Sequence, residues 1–276
     1  PIQINIGGTS STGQVLRGEG GTNTTCIVKN NGNLSCWGEG SSGQLGNNAT
    51  LDSADSVNVV NGTTSTTQTV TVGGNHACSL SSGSIKCWGE GSSGQLGNGA
   101  KDDSSTPVSV NGISTATQVD AGASHSCARL SNGTVKCWGA GSNGQLGNSE
   151  STDQNTPVTV TGINSAIEVE TGANHSCARL NEGVKCWGNS GTVNILGDNR
   201  IEGALVTVNN LNSISSGTSG GAFSCSLSSG GEVHCWGRND YGQLGVGDTL
   251  DRAEPVAISG FSARAVSAGE NHACAV

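Results

Sequence analysis

The tripeptide Cys-Trp-Gly recurs five times, starting at Cys36, Cys87, Cys137, Cys186 and Cys235, in steps of 51, 50, 49 and 49 residues. A second cysteine precedes each by nine or ten positions: Cys26, Cys78, Cys127, Cys177 and Cys225. A fixed period near 50 residues restricts a chain to a repeat architecture, in which each unit buries its face against its neighbours.

One unit shows what repeats. Ile167-Glu168-Val169-Glu170 alternates apolar and polar, the pattern of a half-buried strand. A second strand runs from His175 through Cys177 to Leu180, a tight turn follows at 181–183, and Val184-Lys185-Cys186-Trp187-Gly188 is a third strand. The equivalent turns are Asn31-Gly32, Ser82-Gly83 and Asn132-Gly133. Asn-Gly between apolar runs is a strong hairpin signal, because both residues tolerate positive φ. A spacer carrying Gly-Gln-Leu-Gly comes next, at 43–46, 94–97, 144–147 and 242–245. A fourth strand then begins at proline: Pro107-Val108-Ser109-Val110, Pro157-Val158-Thr159-Val160 and Pro255-Val256-Ala257-Ile258. Four short antiparallel strands per repeat make an all-β chain and point to the radial blades of a β-propeller. A solenoid is the runner-up, since its stacked repeats carry one or two longer elements each.

Composition supports this picture. Only 33% of residues are hydrophobic and 3% aromatic, against 45 glycines, so the core is thin and turns are many. No helical periodicity stands out, and no apolar run approaches the ~20 residues that span a bilayer. Net charge is −9, and the twelve basic residues form no stripe, which argues against nucleic acid as a partner. We expect one propeller domain over 1–276.

Each cysteine pair brackets a hairpin, Cys26 with Cys36, Cys78 with Cys87, Cys127 with Cys137, Cys177 with Cys186 and Cys225 with Cys235. Facing residues on antiparallel strands sit within disulfide reach. Metal sites need closer, converging ligands, so disulfides are favoured over a metal, and no metal or other cofactor is expected. Cys274 occupies the second-strand position of a sixth unit and has no partner downstream. Pro1-Ile2-Gln3-Ile4-Asn5-Ile6 reads as a fourth strand with nothing before it. The expectation is a chain trimmed at one or both ends, with six or seven blades when intact and Cys274 either unpaired or paired outside these residues.

The succession His-x-Cys-x-Leu, turn, Lys-Cys-Trp-Gly, Gly-Gln-Leu-Gly, Pro-Val, clearest from His125 to Pro157-Val158, resembles the regulator of chromosome condensation repeat in its bacterial, cysteine-bearing, alpha-tubulin suppressor-like form. The resemblance covers nearly the whole chain. It implies a β-propeller, usually of seven blades with shared terminal strands. Its founding member is a nuclear exchange factor for a small GTPase that binds chromatin, a role that the acidic balance and paired cysteines oppose. Another relative is a secreted inhibitor of β-lactamases, with shorter repeats that lack these cysteines.

Recurrence favours structural roles for the residues that tempt a functional assignment. His76, His125, His175 and His272 occupy one position per unit, and hydrogen bonding to a neighbouring turn explains them. Trp37, Trp88, Trp138, Trp187 and Trp236 should pack between blades. The acidic loops at Asp52/Asp55, Asp102/Asp103, Asp153, Asp198 and Asp248/Asp251 lack the spaced oxygens of a calcium loop. Sequons stand at Asn23, Asn33, Asn48, Asn61, Asn132 and Asn174. The unit at 191–223 departs from the pattern, with no Gln in its spacer and Phe223 at the histidine position. Asn194, Ile195 and Phe223 therefore mark an interaction candidate.

No nucleophile with a base, carboxylate pair or phosphate-cradling loop stands apart from the repeat. The expectation is a non-enzymatic extracellular or cell-surface propeller, binding a protein partner or forming part of a surface assembly. The alternatives are an intracellular exchange-factor-like regulator and a secreted inhibitor or glycan-acting propeller.

Overall fold

The computed structural model describes residues 15–61, 67–188, 196–197, 205–211 and 213–276. Every regular element among them is a strand. Blade 1 comprises β1 (Val15–Gly20), β2 (Thr24–Lys29), β3 (Leu34–Gly38) and β4 (Ser53–Asn58). Blade 2 comprises β5 (Thr67–Val72), β6 (His76–Ser81), β7 (Ser84–Gly89) and β8 (Ser104–Ser109). Blade 3 comprises β9 (Ala116–Ala121), β10 (His125–Leu130), β11 (Val135–Gly139) and β12 (Gln154–Thr159). Blade 4 comprises β13 (Glu168–Thr171), β14 (His175–Leu180), β15 (Gly183–Gly188) and β16 (Val206–Val208). Blade 5 comprises β17 (Ile214–Ser219), β18 (Phe223–Ser228), β19 (Val233–Gly237) and β20 (Arg252–Ala257). A two-stranded blade 6 holds β21 (Val266–Ala268) and β22 (Ala273–Ala275). Each full blade is an antiparallel meander in chain order.

The first strand of each blade packs on the first strand of the next, from β1 through β5, β9, β13 and β17 to β21. All six contribute to one channel. A linear stack cannot bring Gly20 and Gly269 to the same cavity, so the arrangement is radial and the solenoid alternative fails. Among the described residues no helix is long and apolar enough to cross a membrane.

The core lies between blades. Cys78, Leu80, Ile85, Cys87, Leu96, Val110 and Ile113 of blade 2 meet Ala116, Val119, Ala128, Leu130 and Trp138 of blade 3. The same grouping recurs between blades 1 and 2, ending in Trp88, and between blades 3 and 4, ending in Trp187. Second strands are sandwiched on both faces, which selects small residues such as Ser126, Cys127 and Ala128 and keeps overall hydrophobicity low. Each fully buried indole contributes on the order of 4–6 kcal/mol by area.

Two local details depart from expectation. Proline does not open the fourth strand: Pro107 and Pro157 lie three residues inside β8 and β12. In blade 3 the pairing jumps from Cys137↔Val158 to Gly139↔Gln154, so Pro157 falls in a bulge on the outer edge, where no ladder bond needs its N–H. The turns also differ in type. Ser82 and Gly83 both have positive φ, 49° and 83°. At 30–33 and 131–134 only the glycine does, and Asn31 and Asn132 each accept a backbone N–H two residues on. The one extra residue in those hairpins accounts for the cysteine spacing of ten rather than nine.

Candidate functional site: the axial channel

The narrow rim of the channel is glycine backbone. Gly21, Gly73, Gly122, Gly172 and Gly220 each follow the first strand of a blade. A methyl group built on them would come 2.1, 2.2, 2.4, 2.6 and 2.6 Å from the carbonyl oxygen of the equivalent glycine in the next blade. Backbone hydrogen bonds cross the same seam, from Gly74 N to Gly122 O at 3.2 Å and from Ala173 N to Gly221 O at 3.1 Å. Only glycine permits blades to approach this closely.

Above the rim, one register position per blade faces the axis. Opposite the first cysteine of each unit stand Glu19, Thr71, Asp120, Glu170, Thr218 and Ser267. All but Thr71, which is buried and bonded to Asp120, line a cavity of about 660 Å³ on the axis. Asp120 is the best anchored: its Oδ2 accepts Thr171 N and Oγ1 at 2.6 and 2.7 Å, and its Oδ1 accepts Thr71 Oγ1 at 3.1 Å. Gln118 ties blades 3 and 4 together, donating to Val169 O at 2.9 Å, accepting from Val169 N at 3.0 Å, and donating to Glu170 Oε1 at 3.3 Å. Burial pushes the Asp120 carboxyl above its ordinary range against the pull of these donors. Burial, then the charges of Asp120, Glu168 and Glu19, push Glu170 well up. Glu19 is pushed up to about 8 by burial and by Asp120. Glu19 is exposed by surface area, and the atoms packed around it and the negative neighbour act in the same direction on it. The result is a carboxyl-lined bore whose groups tend to hold their protons, suited to exchanging hydrogen bonds with a polar guest. Among the described residues no three His, Cys, Asp or Glu side chains converge closely enough to hold a metal ion.

The ten hairpin cysteines form five disulfides in the pairing given by the sequence, with Cα separations of 4.0–4.1 Å. All ten are buried, at the centres of their blades. Cys274 is free and exposed. The histidines do not reach a turn. His76, His125 and His175, all fully buried, place Nε2 2.8–2.9 Å from the hydroxyls of Ser126, Ser176 and Ser224 on the next blade. Ser126 and Ser176 in turn donate to Gln95 O and Gln145 O, so Nε2 carries the imidazole proton and Nδ1 lies buried without a partner. The same two carbonyls accept the indole N–H of Trp138 and Trp187, each at 2.9 Å. Phe223 takes the histidine place in blade 5 and is fully buried, and Ala273 stands where the serine would be in blade 6. Phe223 therefore offers no surface to a partner. Asn194, Ile195 and Asp198 lie outside the described residues, as does Pro1–Ile6. The acidic loops serve the fold: Asp52, Asp103, Asp153 and Asp251 accept the backbone N–H of Gly40, Gly91, Gly141 and Asn239 across each spacer. The six sequon asparagines are exposed. Sequence reasoning missed the axial carboxylates, yet a signal was there: the axial residue stands seven positions ahead of every first cysteine, at 19, 71, 120, 170, 218 and 267.

The model of the Regulator of chromosome condensation (RCC1) repeat matches residues 82–129, 132–179 and 230–276, and a second model of the same repeat matches 116–145 and 214–243. The chain belongs to the RCC1 repeat family. The RCC1 repeat is out of phase with the blade: 82–129 spans the last two strands of blade 2 and the first two of blade 3. Human WBSCR16 is similar in structure, with a TM-score of 0.84 at 23% identity over 94% of this chain and 71% of that one. Prp20p of Saccharomyces cerevisiae follows at a TM-score of 0.81 and 18% identity, over 93% of this chain and 67% of that one. These likenesses establish a shared RCC1 fold. In sequence, 49 residues are 49% identical to the ultraviolet-B receptor UVR8 of Arabidopsis thaliana, a stretch amounting to 17% of this chain and 11% of that protein.

Proposed function

We propose that this protein is a non-enzymatic interaction module that works outside the cytosol, extracellularly or on the cell surface, as a rigid scaffold for a protein partner or a surface assembly. The observation that carries this reading is the set of five disulfides at the buried centres of the blades. Such bonds persist in oxidising compartments and are rare where thiols are kept reduced. In support, Prp20p is described with the binding partners Gsp1p and histones, so a propeller of this fold can serve as a protein-binding surface. The net charge of −9 favours a partner with basic groups.

The test is thiol trapping in the native cells before lysis, followed by peptide mapping. The ten hairpin cysteines should escape the alkylating label. Labelling of the ten hairpin cysteines would overturn the extracellular reading. A nucleotide-release assay on a small GTPase then separates the exchange-factor alternative, since accelerated release in the presence of this protein contradicts a purely scaffolding role.

A further inference from the structure

Blades 2, 3 and 4 fill one core position alike. Val70, Val119 and Val169 on their first strands stand opposite Ser79, Ala128 and Ala178, buried against the preceding blade. Blade 1 has Gly18 there, and the larger Ile27 opposite takes up the room: a methyl on Gly18 would come 3.2 Å from Ile27 Cγ2. Blade 5 has Gly217 opposite Ser226, and neither residue supplies the missing bulk. A methyl on Gly217 would meet nothing nearer than Cys225 O at 3.8 Å and Glu170 Cγ at 3.9 Å. The space left is a cavity of about 20 Å³ in the seam between blades 4 and 5, walled by Cys177, Val184 and Trp236. Glu170, Thr218 and Ser219 border both this cavity and the axial channel, so it is an alcove of the channel. Cys177 is 6% exposed, whereas the other nine hairpin cysteines are 0–1% exposed.

The polar groups around the alcove lack partners that their counterparts have. The Ser226 hydroxyl borders it, buried, and bonds to nothing among the described residues. In blade 3 the Gln118 amide binds both the N–H and the carbonyl of Val169. Glu168 holds the same place in blade 4, and its Oε2 accepts Gly217 N at 3.1 Å and Arg179 Nε at 3.0 Å. A carboxylate paired with Arg179 has no proton to give Gly217 O. Burial, then the charges of Asp120, Glu168 and Glu19, push Glu170 well up, so the carboxyl at the mouth tends to hold its proton.

We propose that this alcove is a binding subsite for one terminal hydroxyl group of a small neutral polyol lying in the axial channel. Size sets the first limit, since a space of about 20 Å³ admits one water-sized group. Charge sets the second. Arg179 and Glu168 already compensate each other, and between apolar walls a further ion would lose its hydration without a counter-ion. Hydrogen bonding sets the third: a hydroxyl can donate to Ser226 Oγ or accept from it, whereas a methyl would leave Ser226 unsatisfied. The other hydroxyls of the guest stay in the channel beside Thr218, Ser219 and Glu170. The subsite goes beyond the scaffold reading and stands without it, because it needs neither a protein partner nor a particular compartment.

The probe is glycerol, titrated into the full chain and followed by amide chemical shifts. Saturable shifts are expected at Gly217, Thr218, Ser219 and Ser226. Gly217→Val closes the alcove with the side chain that three other blades carry there, so the variant should melt no lower than the parent and bind glycerol about tenfold or more weakly. Ser226→Ala keeps the space and removes the hydroxyl, and should weaken binding about three- to tenfold. Myo-inositol, whose hydroxyls all sit directly on a ring too wide for the alcove, should leave the Ser226 amide unmoved. Equal glycerol binding by the parent and Gly217→Val overturns the proposal. So does the absence of saturable shifts at these amides, because the alcove then holds only water. Equal shifts with myo-inositol overturn it as well, because entry of one slim group is then not what is recognised.

Discussion

His76, His125 and His175 each pair Nε2 with a serine on the neighbouring blade, His76 and His125 as donors, and all three keep the other nitrogen dry. Burial lowers their pKa values to about 4, 3 and 4, with His76 and His175 adding to the effect on His125. An unfolded chain takes up these protons near pH 6.5, while the folded chain resists until near pH 4. The stabilisation is therefore full above pH 6.5 and is lost as pH falls through the folded values. Thermal melts should show a steep acid loss between those limits, and His125→Phe combined with Ser176→Ala should make it shallower. Glu19 works in the opposite direction. Its folded pKa of about 8 makes its contribution full below pH 4.5 and lost as pH rises through 8, so Glu19→Gln should flatten the alkaline side of the same profile. That the histidines serve the fold was legible from their recurrence. Their partners were not, because each serine lies 49–51 residues away and is found only once neighbouring blades are in register. The axial carboxylates were hidden for a related reason. Alternation marks Asp120 and Glu170 as polar faces of half-buried strands, and only the radial arrangement turns those faces toward one another.

At the level of strands and hairpins, the sequence alone located most elements. His175–Leu180 is a strand as expected, and the disulfide across it joins facing residues Cys177 and Cys186. Replacing Cys127 and Cys137 together by alanine should lower unfolding stability by roughly 2–3 kcal/mol, read by denaturant titration, because a closed loop of about ten residues regains its entropy. The fourth strands were less legible. A proline inside a strand became readable only with the bulge that excuses its absent N–H. The second strands also carry a matched choice across each seam: His faces Ser three times, while Phe223 faces Ala273. A bulky ring and a small partner exchange for a hydrogen-bonded pair. His175→Phe alone should destabilise, and Ser224→Ala in the same chain should return part of the loss, with a coupling of about 1 kcal/mol in a double-mutant cycle.

Across the whole molecule, the period near 50 residues was enough to call for a propeller, because a four-strand unit that buries little by itself must lean on its neighbours. What the period does not reveal is phase. The RCC1 repeat straddles two blades, so every buried tryptophan belongs to the core of the blade before it. Trp37 has no such host among the described residues and is half-buried, unlike Trp88, Trp138, Trp187 and Trp236. The glycine seam around the axis bears on how such a molecule can change. Gly122→Ala would press a methyl to 2.4 Å from Gly172 O and 2.5 Å from His125, and should cost about 1–3 kcal/mol in a thermal or denaturant melt. Because main chain alone sets how near the blades may come, the width of the hole is indifferent to what projects into it. A lineage built on this frame can exchange Glu19, Thr218 or Ser267 for other side chains and acquire a different appetite while its calibre stays the same.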